Sequence, residues 1–223
     1  EQGIPGKAVT TIDEGKKEAH CVLLPPDGKN VYIPYVKGNL AILQYAYDGN
    51  TGKITALKPK EAKPPLGSGP RHMAYHPTLP MVYFSNEQGI GLSSYRREAN
   101  GQLKVEQDIS ILPPGMSKIG LSASDLLITP DGKFLYAGLR GHRQDFDHIS
   151  RYRVLEDGKA KFLGLTEADQ VPWGLTLSPD GKFLLVSATT GASLAAYRIS
   201  KDGNLKRVAT LAWDERMSDL VAR

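Results

Sequence analysis

The sequence predicts an all-β fold, a β-propeller of four-stranded antiparallel blades, on three observations: a hairpin phrase that recurs about every 50 residues, a tyrosine that recurs in a later strand of each unit, and end segments that read as strands without hairpins of their own. The phrase is Pro26-Asp27-Gly28-Lys29. It returns as Pro130-Asp131-Gly132-Lys133 and Pro179-Asp180-Gly181-Lys182, with a degenerate copy at Pro77-Thr78-Leu79-Pro80, at intervals of 51, 53 and 49 residues. Short apolar runs flank each copy, as Leu126-Leu127-Ile128 precedes and Phe134-Leu135-Tyr136-Ala137 follows Pro130-Asp131-Gly132, the pattern of strand, tight turn, strand. The Gly supplies positive φ, so the phrase itself carries turn chemistry and no catalytic signal. An alternating strand centred on Tyr45, Tyr95, Tyr152 or Tyr197 follows, then a Gly turn and a last strand such as Leu205 to Leu211. The four tyrosines read as equivalent inter-blade core positions. Units of this kind bury their faces only against neighbouring units around a central channel.

The ends fit the same frame. Lys7 to Ile12 reads as an outermost strand and Met217 to Ala222 as an innermost one, each wanting a partner. The expectation is a single propeller domain over residues 1–223, about four complete blades plus end strands, with two to three blades missing before Glu1; a closed ring of four is the competing arrangement. No initiator Met is present, which fits a processed chain or one cut from something longer.

Composition narrows the function. Lys and Arg total 28 against 24 for Asp and Glu, and the signs are interspersed, so no basic block points to nucleic acid, while a charge of +4 suits an anionic small molecule. Cys21 is the single cysteine and cannot form an internal disulfide, and no Cys/His cluster has zinc-ligand spacing. No apolar run approaches the roughly 20 residues of a membrane span.

Candidate site residues come from the hairpin symmetry. Residues eight before and eight after each turn centre lie opposite each other at one rim. The pairs are His20 with Val36, Arg71 with Glu87, Ser124 with Arg140, and Trp173 with Thr189. These side chains would converge on the channel mouth away from the Pro-Asp-Gly turns, offering two guanidiniums, a carboxylate and an imidazole. Arg71 and Glu87 also read as a plain cross-strand ion pair, and Trp173 as a packed wall. His72, next to Arg71, is expected on the opposite strand face, where it would only orient the site. Asp145, Asp147 and His148 form a polar loop that reads as solvated, with a metal site as the alternative.

The chain resembles the seven-bladed β-propeller lactonase family, which includes 6-phosphogluconolactonases. The resemblance rests on His20-Cys21-Val22, Val31-Tyr32-Ile33-Pro34, Gly67-Ser68-Gly69-Pro70-Arg71-His72-Met73-Ala74-Tyr75-His76-Pro77, Asn86-Glu87, Ile128-Thr129-Pro130-Asp131-Gly132-Lys133-Phe134-Leu135-Tyr136, Arg140 and Ser178-Pro179-Asp180-Gly181-Lys182-Phe183-Leu184. It implies seven blades and a polar cleft containing His20, Arg71, His72, Glu87 and Arg140. It also implies hydrolysis of a sugar lactone, 6-phosphogluconolactone foremost, in the cytoplasmic pentose phosphate route, with no cofactor and no metal. Two departures stand out: Trp173 follows Pro172 where the family usually has Arg, and Thr189 replaces a longer polar residue. On this reading His20 or Glu87 is the general base, and Arg71 and Arg140 bind phosphate or the developing oxyanion. Another lactone, a lactonising cycloisomerisation, or a non-catalytic binding platform are the alternatives.

Overall fold

The computed structural model describes residues 6–36, 40–142, 145–217 and 219–222, and among them every regular element is a strand. β1 (Asn30–Tyr35), β2 (Ala41–Asp48) and β3 (Lys53–Ala62) form a three-stranded sheet. Three four-stranded meanders follow: β4 (Pro70–Tyr75), β5 (Met81–Asn86), β6 (Gly91–Arg97) and β7 (Leu103–Ser110); β8 (Leu121–Ile128), β9 (Phe134–Gly141), β10 (His148–Val154) and β11 (Ala160–Glu167); β12 (Pro172–Leu177), β13 (Phe183–Ala188), β14 (Ser193–Ile199) and β15 (Leu205–Ala212). All neighbouring pairs are antiparallel. This is the propeller arrangement the repeat predicts.

The turns form for local reasons. Between β8 and β9, Asp131 Oδ1 accepts from Lys133 N (3.1 Å) and Thr129 Oγ1 (2.6 Å), while Gly132 takes φ 73°. Ser178, Asp180 and Gly181 repeat that geometry before β13. In the degenerate copy no Asp is available; His76 Nδ1 accepts from the backbone N–H of Thr78 (3.1 Å) and Leu79 (2.9 Å) and closes the turn instead.

Neighbouring sheets share three apolar clusters, one joining the first and second sheets, one the second and third, and one the third and fourth. Among the described residues no such cluster joins the fourth sheet to the first. Tyr95, Tyr152 and Tyr197 are buried in these layers, as their recurrence predicts, whereas Tyr45 is buried in a smaller cluster of first-sheet residues alone. A second tyrosine ladder stitches sheet to sheet. Tyr32, Tyr83 and Tyr136, in the second strand of their units, donate to the carbonyls of Gly101 (2.6 Å), Gly158 (2.9 Å) and Gly203 (3.1 Å) in the next sheet's last hairpin.

Two expectations fail at the edges. The innermost strand of the first unit, expected to carry His20, is reduced to one bridge, Ala19 to Tyr35, flanked by His20 N to Pro34 O (3.1 Å) and Val36 N to Glu18 O (3.3 Å). Neither Lys7 to Ile12 nor the described part of Met217 to Ala222 forms a strand. A ladder requires a facing row of N–H and C=O groups, and Val9 instead lies against Gly52, while Met217 O accepts from Thr189 Oγ1 (2.8 Å).

Candidate active site

Inner strands β4, β8 and β12 each carry a β-bulge near the rim, between Pro70 and Met73, Ala123 and Leu126, and Pro172 and Gly174. A bulge sets two residues against one, so the register slips and adjacent side chains stop alternating. Consequently Ser122, not Ser124, stands opposite Arg140, Pro172 opposite Ala188, and Pro70 opposite Asn86. Ser124 is fully buried and structural: its Oγ donates to Pro172 O at 2.7 Å. The N–H groups stranded by the bulges find serines. His72 N donates to Ser85 Oγ (3.2 Å), and Gly174 N to Ser187 Oγ (3.1 Å).

A second repeat fixes the rim. Glu18, Gly69, Gly120 and Val171, three equal steps of 51 residues, all adopt left-handed backbone, with φ 64°, 63°, 81° and 61°. Two residues after each stand His20, Arg71, Ser122 and Trp173. For the β-branched Val171 this conformation costs roughly 1–2 kcal/mol. It is held by Asp147, whose Oδ1 accepts from Val171 N and from Gly141 N, both at 2.8 Å. One carboxylate oxygen thus braces the residue after Arg140 and the approach to Trp173.

The cleft is a cavity of about 460 Å³ at the end away from the Pro-Asp-Gly turns. Its floor holds Arg71 and Arg140, 2% and 4% exposed. Both share one carboxylate: Glu87 Oε2 lies 2.9 Å from Arg71 Nε and 3.5 Å from Arg140 Nη2. Arg140 Nη2 also donates to Ala123 O (2.9 Å), and both guanidinium carbons lie over the Trp173 ring, 5.4 and 4.5 Å from its centroid. Arg71 Nη1 and Arg140 Nε are buried without a hydrogen-bond partner among the described residues. Burial lowers the Arg71 pKa, and burial together with the Arg71 charge lowers that of Arg140 to about 10. Two guanidiniums sharing the Glu87 carboxylate at the base of the cleft give it a cationic floor that can attract an oxyanion or phosphate.

His20, Val36, His142 and Glu18 line the rest of the cleft. Partial burial, then the positive fields of Arg71, His72 and Arg140, hold the His20 imidazole well below its ordinary value, to about 4. The ring is therefore neutral and able to accept a proton at neutral pH. His72 is not turned away as strand alternation predicts. Its ring centroid is 5.0 Å from that of His20, and its Nδ1 lies 2.5 Å from Asp125 Oδ1.

The structure therefore brings His20, Arg71, Glu87, Arg140 and Trp173 together around one opening and sets His72 immediately behind His20. It adds Asp125, Asp147 and His142. Asp125 had one visible signal, a lone charge within Leu121-Ser122-Ala123-Ser124-Asp125-Leu126-Leu127-Ile128. In the loop read as solvated or metal-binding, residues 143–144 lie outside the described set, Asp147 serves the backbone, and among the described residues no group of three or more His, Cys, Asp or Glu side chains could hold a metal ion. A larger depression of about 550 Å³ opens at the opposite end between two turns, but its charges are already paired, Lys133 with Asp131 (3.4 Å) and Lys182 with Asp180 (3.3 Å).

Comparison with known proteins gives the family and the fold. The profile of the family described as "Lactonase, 7-bladed beta-propeller" matches residues 4–217. A 6-phosphogluconolactonase of Klebsiella pneumoniae is 30% identical over 199 residues, covering 88% of this chain and 58% of the relative. One from Pectobacterium carotovorum is 30% identical over 214 residues, covering 94% and 62%. Among solved structures, the periplasmic gluconolactonase of Pseudomonas aeruginosa superposes with a TM-score of 0.78 at 24% identity, covering 89% of this chain and 55% of that one. A protein from Lactobacillus plantarum gives 0.78 at 18% identity, covering 90% and 57%. The chain thus spans about three fifths of the length of these curated relatives.

Proposed function

The chain belongs to the seven-bladed β-propeller lactonase family, and from that premise we propose that the protein hydrolyses a sugar lactone, 6-phosphogluconolactone before others, as one propeller domain within the cytoplasmic pentose phosphate route. The observation that carries the reading is the pair of guanidiniums that share the Glu87 carboxylate at the base of the cleft, with His20 on the same lining. Arg71 and Arg140 bind the substrate's phosphate or the oxyanion that develops on its carbonyl oxygen. Glu87 already balances both arginines, so its part is to hold them, and His20 is the general base. His20 takes a proton from water as the water oxygen attacks the lactone carbonyl. When the ring C–O bond breaks, the proton passes to the leaving ring oxygen. An anionic substrate offsets the arginine field on His20 and strengthens it as a base at the moment it is needed. Trp173 and Val36 give the sugar ring apolar walls, and His72 sits behind the base. No cofactor enters this reading, and nucleic acid and membrane are not partners in it; among the described residues no helix is long and apolar enough to cross a membrane.

A second reading has its own observation. Trp173 stands in the cleft lining at the place of an expected cation, which suits an unphosphorylated lactone. Coupled assays with 6-phosphogluconolactone and gluconolactone separate the two. Preference for the phosphorylated substrate, lowered about 10- to 100-fold in kcat/KM by Arg71→Ala with gluconolactone little changed, is the expected result. Preference for gluconolactone gives the second reading, and turnover of neither lactone ends both.

A further inference from the structure

We infer that Asp125 is a positioning residue for His20, acting through His72, and that this one carboxylate ties together the rims of three successive sheets and reaches the first through the His72 ring. The inference rests on the lactonase reading for its catalytic consequence and on geometry alone for its structural part.

The observations run in sequence. Asp125 sits in the bulge of β8, where the broken alternation turns it toward the neighbouring sheets. Its Oδ1 accepts from Leu126 N (2.8 Å) in its own strand and faces His72 Nδ1 (2.5 Å) in the second sheet. Its Oδ2 accepts from Leu175 N (2.8 Å) in the fourth. A carboxylate with these partners can only accept, so His72 must carry its proton on Nδ1, which fixes both tautomer and ring plane. His72 in turn lies against the ring of His20, at 5.0 Å and an interplanar angle of 55°.

His20 needs that support. The first unit lacks a full inner strand, so His20 hangs beside a single bridge, with one backbone bond to Pro34 O. Arg71 and Arg140 are fixed by burial and by Glu87, whereas His20 stands exposed at the mouth with no ladder to orient it. The tilted ring of His72, packed against it, supplies the missing constraint, and Asp125 holds that ring. Misplacement of a reacting group by about 1 Å costs on the order of 100-fold in rate.

The test has two arms. In the protein itself, 15N-resolved imidazole spectra at neutral pH should place the His72 proton on Nδ1; a proton on Nε2 with Nδ1 bare would overturn the inference, whatever the activity. Asp125→Asn keeps the shape but must present an amide donor to either His72 or Leu175. It should shift the ring resonances of both His72 and His20 and lower kcat for the lactone by about 10- to 100-fold, with KM changed less than about twofold. His72→Gln should lower kcat similarly, and combining it with Asp125→Asn should add little, because the two act along one path. Unchanged kcat in folded Asp125→Asn, or additive losses in the double variant, would refute the positioning role. If the unsubstituted protein turns over no lactone, the functional reading falls separately, and the spectra alone decide whether Asp125 holds the two rings.

Discussion

At the scale of single residues, the chemistry of the cleft follows from who shares a charge with whom. Glu87 is committed to two arginines and His20 to none, which is why the imidazole is the proposed base although both were candidates. The depressed His20 pKa has a consequence in pH. The neutral ring is the competent form, so kcat/KM should hold level from pH 8 down past 6 and fall only on an acid limb centred well below the ordinary histidine value of about 6.5. A limb centred at 6.5 or above would contradict the assignment. The same inequality acts on stability: the unfolded chain takes up the proton first, so this contribution is present above about 6.5 and is lost as pH falls toward the folded value. Arg71, Glu87 and Arg140 were legible in the sequence because each lies a fixed count from a turn. Asp125 was not, because the groups it serves come from other blades, and no local pattern announces them.

At the scale of elements, the bulges decide which side chains reach the cleft. Counting from the turns assumes an unbroken ladder, and that assumption selected Ser124 where the structure uses Ser122, and turned His72 away. The compensation for the bulges of β4 and β12 is a serine hydroxyl on the adjoining strand. Ser85→Ala leaves the His72 N–H buried without its acceptor and removes the bond from Ser85 Oγ to Ser124 O (2.8 Å). The expected loss is about 1–3 kcal/mol in denaturant unfolding. A loss no greater than that of an exposed serine substitution such as Ser117→Ala would show that the bulge does not depend on this hydroxyl.

At the scale of the whole molecule, the propeller was readable because its repeat is written in turn residues and tyrosines, whereas the reduced first inner strand was not, since the sequence around His20 resembles its counterparts and only pairing distinguishes it. Cohesion between sheets rests on apolar layers supplemented by the Tyr32, Tyr83 and Tyr136 hydroxyls, each reaching a glycine carbonyl in the next sheet. Replacing each tyrosine with Phe should cost about 1 kcal/mol. Because the three sites lie at different interfaces, the triple variant should lose close to the sum. Thermal unfolding in separate steps would mean instead that the sheets melt one by one.

The equal steps of 51 residues between Glu18, Gly69, Gly120 and Val171 hold although the hairpins between them vary in length. Each step delivers one residue to the rim, and because His20 and Trp173 line the opening from the same kind of turn, exchanging either changes what a ligand meets while the backbone that presents it stays the same.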